Sequence, residues 1–278
     1  APSQGVHIVV DRSFMSSDHA LIVPKTADGR VLFAVPWLGK VILGTTDTAR
    51  DQPLTEPQAL KSELDFILKE SAAHLQKAPA VQDIRSIWVG LRPLVRPQNT
   101  NEGNTKSISR EHTIISSATG LVTVTGGKWT TYRVMAKDTV NHCIKAGVLA
   151  DRATVCTTDT LRLVGAQSGR RMTQPISQAP GLSIYGDERD QVEATEGAHN
   201  QLAEGLTEAM VRFAARYEYA RTVEDVLARR CRMLFLDAAL ATQCAPQVAQ
   251  ILQSETGIDP QLDAFLSLAE HYRTIPYL

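Results

Sequence analysis

The sequence predicts an α+β protein, with an antiparallel-sheet domain over residues 1–150 and an all-α C-terminal domain reached through a linker within 151–278. Three observations carry this. β-Branched runs crowd the first half at spacings too short for helical crossovers, so the strands pair antiparallel. Residues 151–182 are mixed and rich in Gly, Pro and Ser, the composition of an irregular connection. From residue 187 onward, apolar residues recur at three- and four-residue spacing.

The elements follow in order. "VHIVV" (6–10), "ALIVP" (20–24), "RVLFAVPW" (30–37) and "KVILGTT" (40–46) read as strands, with "ADGR" (27–30) as a hairpin turn. A helix comes next, with Thr55 as N-cap, Pro57 in its first turn, and a stripe of Leu60, Leu64, Ile67, Leu68, Ser71 and Leu75. "IRSIWVGLRPLV" (84–95) returns to strand character. "TKSISR" (105–110) and "HTIIS" (112–116) flank a hairpin corner, and "GLVTVTGG" (120–127) is a further strand. A helix runs from about residue 130 to 146, with Val134, Met135, Val140 and Ile144 as candidate buried positions. In the second half, residues 207–220, 222–242 and 245–256 carry helical patterns. Thr222 and Asp225 form a capping box, and Pro260 opens a last helix to about Tyr272.

Composition sets bounds on function. Hydrophobic residues make up 43% of 278, enough for a sizeable core. A formal net charge of −1 gives no global attraction to nucleic acid or to an anionic membrane surface. Cys143, Cys156, Cys231 and Cys244 lack C-x-x-C spacing, a weak signal both for a metal site and for disulfides, which favours a reducing compartment. No apolar run is long enough to span a bilayer. The chain opens at Ala1 and runs almost directly into a strand, as a piece of a longer protein would.

The chemistry concentrates in "TVTGGKWTTYR" (123–133). A strand ending in Gly126 and Gly127 lets another group touch the backbone with no Cβ in the way. The following helix aims its unpaired N–H groups at the same spot, and Lys128 adds a full positive charge. Two glycines alone are an ordinary turn; the added Lys-Trp-Thr-Thr-Tyr-Arg favours an anion-accepting corner. Arg92, within "GLRPLV" (90–95), reads equally as a surface charge or as a grip on a buried anion. Arg110 in "SISREH" (107–112) and His7 in "GVHIVV" (5–10) are each ambiguous alone, as a solvated charge and a satisfied core histidine. "GTTDT" (44–48) reads as a turn with local hydrogen bonds. Taken together, two arginines, a lysine and a histidine suit a phosphate monoester.

"GVHIVV", "VPWLGKVILGTTDT", "GLRPLV", "SISREH", "GLVTVTGGKWTTYR" and "YEYARTVEDVLARRCRMLFLDAALA" occur in an order that resembles FAD-dependent (respiratory) glycerol-3-phosphate dehydrogenases, over nearly the whole chain. The resemblance implies oxidation of sn-glycerol 3-phosphate to dihydroxyacetone phosphate at FAD, with electrons passed to quinone by a full-length enzyme peripheral on the inner, cytoplasmic membrane face. Carried over, Arg92 and Arg110 match phosphate-binding arginines. His7 and Lys128 match residues beside the reacting carbon. Gly126, Gly127, Lys128, Trp129 and Thr130 match the segment facing the flavin ring. His7 is the first choice for the base, and Lys128 is a base or an electrostatic stabiliser. The family's G-x-G-x-x-G pyrophosphate cradle does not occur in this sequence. The chain therefore resembles the substrate-binding part plus the C-terminal domain, expected to be inactive alone. The alternatives are an oxidase that uses oxygen and an inert phosphate-binding or interaction fragment.

Overall fold

A computed structural model describes residues 2–26, 29–94, 111–150, 155–169 and 174–276. The chain divides into two compact units. One comprises Ala1–Gly5, Asp47–Pro57 and Gly90–Leu163; the other comprises Val6–Thr46, Gln58–Val89 and Val164–Leu278.

The larger unit holds most of the sheet. Strands β1 (Pro2–Asp11), β2 (Leu21–Val23), β3 (Leu32–Trp37) and β4 (Lys40–Gly44) lie in the order β2-β3-β4-β1, all antiparallel as the short connections require. The two-residue turn between β3 and β4 sets their register, with Trp37 opposite Lys40 and Phe33 opposite Gly44. Val6, Ile8 and Val10 alternate along β1 and bury against Ala34, Val41 and Leu43. Helix α1 (Lys61–His74) covers this face with Leu64 and Ile67.

The helix starts later than Thr55, which is not its cap. Glu63 accepts the backbone N–H of Leu60 at 2.9 Å and so fixes the first turn there. Leu64, Ile67 and Ser71 are buried as the stripe predicts. Glu63 and Glu70 are buried with them, which the apolar pattern does not register. Strand β6 (Ser86–Pro93) pairs with β1.

The C-terminal part is helical apart from one feature that the periodicity does not anticipate, a short ribbon of β9 (Gln201–Ala203) and β10 (Leu206–Thr207). The helices are α3 (Arg189–Glu193), α4 (Glu208–Tyr217), α5 (Met233–Leu236), α6 (Ala238–Thr256) and α7 (Leu262–Arg273). Thr222 and Asp225 do form the reciprocal cap, at 3.0 and 3.1 Å. The single helix expected over residues 222–242 is broken. A wide π-type turn over Asp225–Arg230 leads to Arg232 in left-handed conformation (φ +60°), and Asp237 then caps Leu240 at 3.0 Å to restart the chain as α6. The pattern expected over 245–256 is the second half of α6, which carries Pro246 inside it. Phe213, Leu227, Leu234, Leu252 and Phe265 are fully buried in the shared core of these helices.

In the smaller unit, β5 (Thr48–Ala49) pairs with Gln4 and Ser3. Strands β7 (His112–Ser116) and β8 (Val122–Gly126) form a hairpin, and α2 (Tyr132–Lys145) follows. Among the described residues of 111–163, none is buried. The expectation of four buried positions on α2 therefore fails: Val134 and Val140 are exposed, and Met135 and Ile144 are only half-buried. "ADGR" and "TKSISR" fall partly and wholly outside the described residues.

Candidate active site

His7 belongs to the larger unit; Arg92 and Gly126 to Thr130 belong to the smaller one; Arg110 lies outside the described residues. His7 projects from the β1 face opposite Val6 and Ile8. Its ring stacks on Trp88 of β6, with centroids 4.2 Å apart and planes 19° from parallel, and it tilts against Phe33 at 5.6 Å. Gly44, its partner across the β1–β4 ladder, leaves room for the imidazole: a Cβ there would come within 2.5 Å of His7 Cδ2.

Within "GTTDT" the Thr45 hydroxyl stays local, donating to Thr46 O at 3.3 Å, while that of Thr46 acts at long range. Thr46 is fully buried; its Oγ1 accepts the Val6 N–H at 3.0 Å and donates to Glu63 at 2.9 Å. A buried carboxylate thus ties the end of β4 to the strand residue next to His7. Asp47, one position on, lies 3.6 Å from the Arg92 guanidinium. That guanidinium fills the space a side chain at position 5 would need, since a Cβ on Gly5 would sit 2.4 Å from Arg92 Nη2. Arg92 is therefore held against the start of β1 beside a carboxylate, a partner its sequence context did not disclose.

The glycine pair has a reason of its own. Gly126 and Gly127 have φ of +76° and +79°, where side chains are strained. Their own chain also occupies the Cβ positions: Glu111 O would be 2.7 Å away at Gly126, and Met135 Sδ 2.5 Å away at Gly127. The glycines let α2 and β7 close on the turn. A 3-10 turn, Trp129–Thr131, then leads into α2. Thr131 returns both its N–H and its hydroxyl to Lys128 O, at 2.9 and 3.0 Å. The start of α2 has no side-chain cap and no acidic residue in its first turn. Lys128 is half-exposed with Glu111 at 4.0 Å, an ion pair worth little at the surface, and Trp129 is 88% exposed. An uncapped helix start behind an exposed lysine can accept an anion.

Two cysteines are buried and two half-buried, and all four are free; burial pushes the Cys231 thiol up to about 11. Among the described residues no metal-binding cluster occurs, and no helix is long and apolar enough to cross a membrane.

The antiparallel sheet followed by a helical C-terminal region defines an α+β fold. The fold matches a solved glycerol-3-phosphate dehydrogenase from Bacillus halodurans, complexed with FAD, at a TM-score of 0.73 and 24% identity, covering 100% of this chain and 58% of that one. The family described as FAD dependent oxidoreductase matches residues 1–139, and the C-terminal domain of alpha-glycerophosphate oxidase matches residues 156–262. The chain belongs to the FAD-dependent oxidoreductase family, whose cofactor is FAD. Among relatives, a mitochondrial glycerol-3-phosphate dehydrogenase of Arabidopsis thaliana is 39% identical over 91% of this chain, and its Schizosaccharomyces pombe counterpart is 33% identical over 93%. The chain spans 44% and 47% of those two proteins.

Proposed function

We propose that this chain is the substrate-binding and C-terminal part of a flavoenzyme that oxidises sn-glycerol 3-phosphate to dihydroxyacetone phosphate and passes the electrons to quinone. The observation that carries the reading is the similarity, over more than 90% of the chain, to proteins named glycerol-3-phosphate dehydrogenase. FAD bound here would supply the acceptor for the hydride that leaves C2 of the substrate. The chain's own groups do the rest. His7 takes the C2 hydroxyl proton as the carbonyl forms, and its fixed ring aims the lone pair. Arg92 and Arg110 grip the phosphate, with Asp47 holding the Arg92 fork in place. Lys128 and the start of α2 stabilise negative charge that builds on the flavin side. Peripheral attachment at the cytoplasmic membrane face belongs to the same reading, as the place where quinone is met.

The fit to FAD covers only one side. The Gly126–Thr130 turn suits the ring, and the sequence holds no G-x-G-x-x-G for the pyrophosphate. The apolar side chains left exposed on β8 and α2 accord with a further flavin-binding part packing there. A second reading, an oxidase that reduces oxygen to peroxide, is favoured by the C-terminal match to alpha-glycerophosphate oxidase. The test has two arms. The purified chain should carry little flavin by absorbance, and stoichiometric flavin would overturn the divided site. Joined to the N-terminal segment of a relative, it should oxidise glycerol 3-phosphate with an artificial acceptor. Oxygen uptake with peroxide would select the oxidase, and no turnover with flavin bound would reject the reading.

A further inference from the structure

Among the described residues, the helical C-terminal region shows no cluster suited to catalysis, yet a line of aromatic rings runs from it to His7. Tyr272 on α7 meets the Phe235 ring of α5 edge-on, with centroids at 5.5 Å. Phe235 meets Trp88 edge-on at 5.7 Å and 89°, and Trp88 lies face to face with His7 at 4.2 Å. The strand bearing Trp88 is fastened to the same helices. Ser86 donates to Leu234 O at 2.9 Å, and the Ala238 N–H donates to Arg85 O at 3.1 Å. The Trp88 Nε1 is buried and has no hydrogen-bond partner among the described residues. An indole kept at that cost is held for its ring face, not for its N–H.

We propose that Trp88 is a positioning residue for His7, and that the C-terminal helical region acts on the reaction through Phe235 and Trp88. The imidazole is confined on one face by the indole and at its edge by Gly44, so it has one orientation in which to receive the substrate proton. Phe235 prevents the indole from rotating away. The inference rests on His7 being the base of the proposed reaction.

Two readouts test it, one of them independent of activity. In NMR spectra of this chain, the stacked indole shifts the His7 ring protons upfield. Trp88→Leu should move them back downfield, Trp88→Phe should keep most of the shift, and Phe235→Leu should give a smaller downfield move. In the flavin-loaded full-length protein, Trp88→Leu should lower kcat roughly tenfold to a hundredfold, as expected when a reacting group loses its alignment. The KM for glycerol 3-phosphate should change little, and Trp88→Phe should restore most of kcat. Unchanged His7 resonances in Trp88→Leu, or equal loss of kcat in Trp88→Leu and Trp88→Phe, would overturn the proposal. If Trp88→Leu fails to fold, Phe235→Leu decides: an unmoved His7 resonance overturns it. A His7→Asn protein that retains full kcat would instead reject His7 as the base, while the resonances still report whether the stack exists.

Discussion

Helices α2 and α4 follow strands at glycine-bearing or polar turns, and both carry apolar residues at helical spacing, yet they end in opposite environments. α4 buries Met210, Val211, Phe213, Ala214 and Ala215 within a core shared with α6 and α7. α2 buries nothing; Val134 is 39% exposed and Val140 49%. What joins α2 to its hairpin is polar: His112 to Asp138 at 3.1 Å and Ser116 to His142 at 2.7 Å. The difference shows that an apolar stripe marks a face that gains from cover. It does not say that the cover lies in the same compact unit. The helical core meets its own demand, whereas the segment with the candidate flavin-facing turn leaves its demand open.

The largest expected contrast is in amide hydrogen exchange. Amides of α4 and α6 should exchange only through global unfolding, orders of magnitude slower than those of β7, β8 and α2, which open locally. Equal protection in both regions would break the comparison. Truncation in the cores comes next. Phe213→Ala and Phe265→Ala, at 0% and 2% exposure, should each cost about 3–5 kcal/mol by urea unfolding. Val140→Ala on α2 should stay within about 0.5 kcal/mol, because little is lost at an exposed site.

Electrostatics sharpens the picture at intermediate size. Hydrogen bonds from Arg216 and Arg212 hold the Glu255 carboxyl below its ordinary 4.5. A carboxyl with a lowered folded value stabilises the fold above its ordinary pKa and loses that contribution as pH falls through the folded value. Thermal melts should therefore show the helical core weakening as the pH drops below about 4.5. Glu255→Ala should abolish this part of the pH dependence and cost about 1–3 kcal/mol at neutral pH. A more local effect belongs to Gly127→Ala, about 1–2 kcal/mol from the left-handed backbone, with the Met135 side chain pushed aside as well. It should appear as faster exchange confined to β8 and α2; a global loss of stability would show the two regions to be one cooperative unit.

Much of this was legible in the residues. The strands from "VHIVV" to "KVILGTT" declare themselves because alternation has period two and their connections are short. The capping box at Thr222 and Asp225 is a local device, so its sequence signature suffices. The candidate site is legible only as residue types: His7 and Arg92 stand out because a ring or a charge interrupts apolar runs, and Lys128 because it follows two glycines. Trp88, Thr46 and Asp47 were missed because their partners lie far along the chain, as with Thr46 at forty residues from Val6.

By itself, the sequence determined the first-half strands, their antiparallel pairing and the helical character of the C-terminal region, since period, turn chemistry and caps act within a few residues. Only the tertiary structure decided where α1 begins, that residues 222–242 break at Arg232, and why Gly126 and Gly127 are glycines. Each depends on a close approach between distant segments: a buried carboxylate at Glu63, a core that turns the chain sharply, and Glu111 and Met135 where a Cβ would stand. Such approaches are set by packing in three dimensions, which no local pattern encodes.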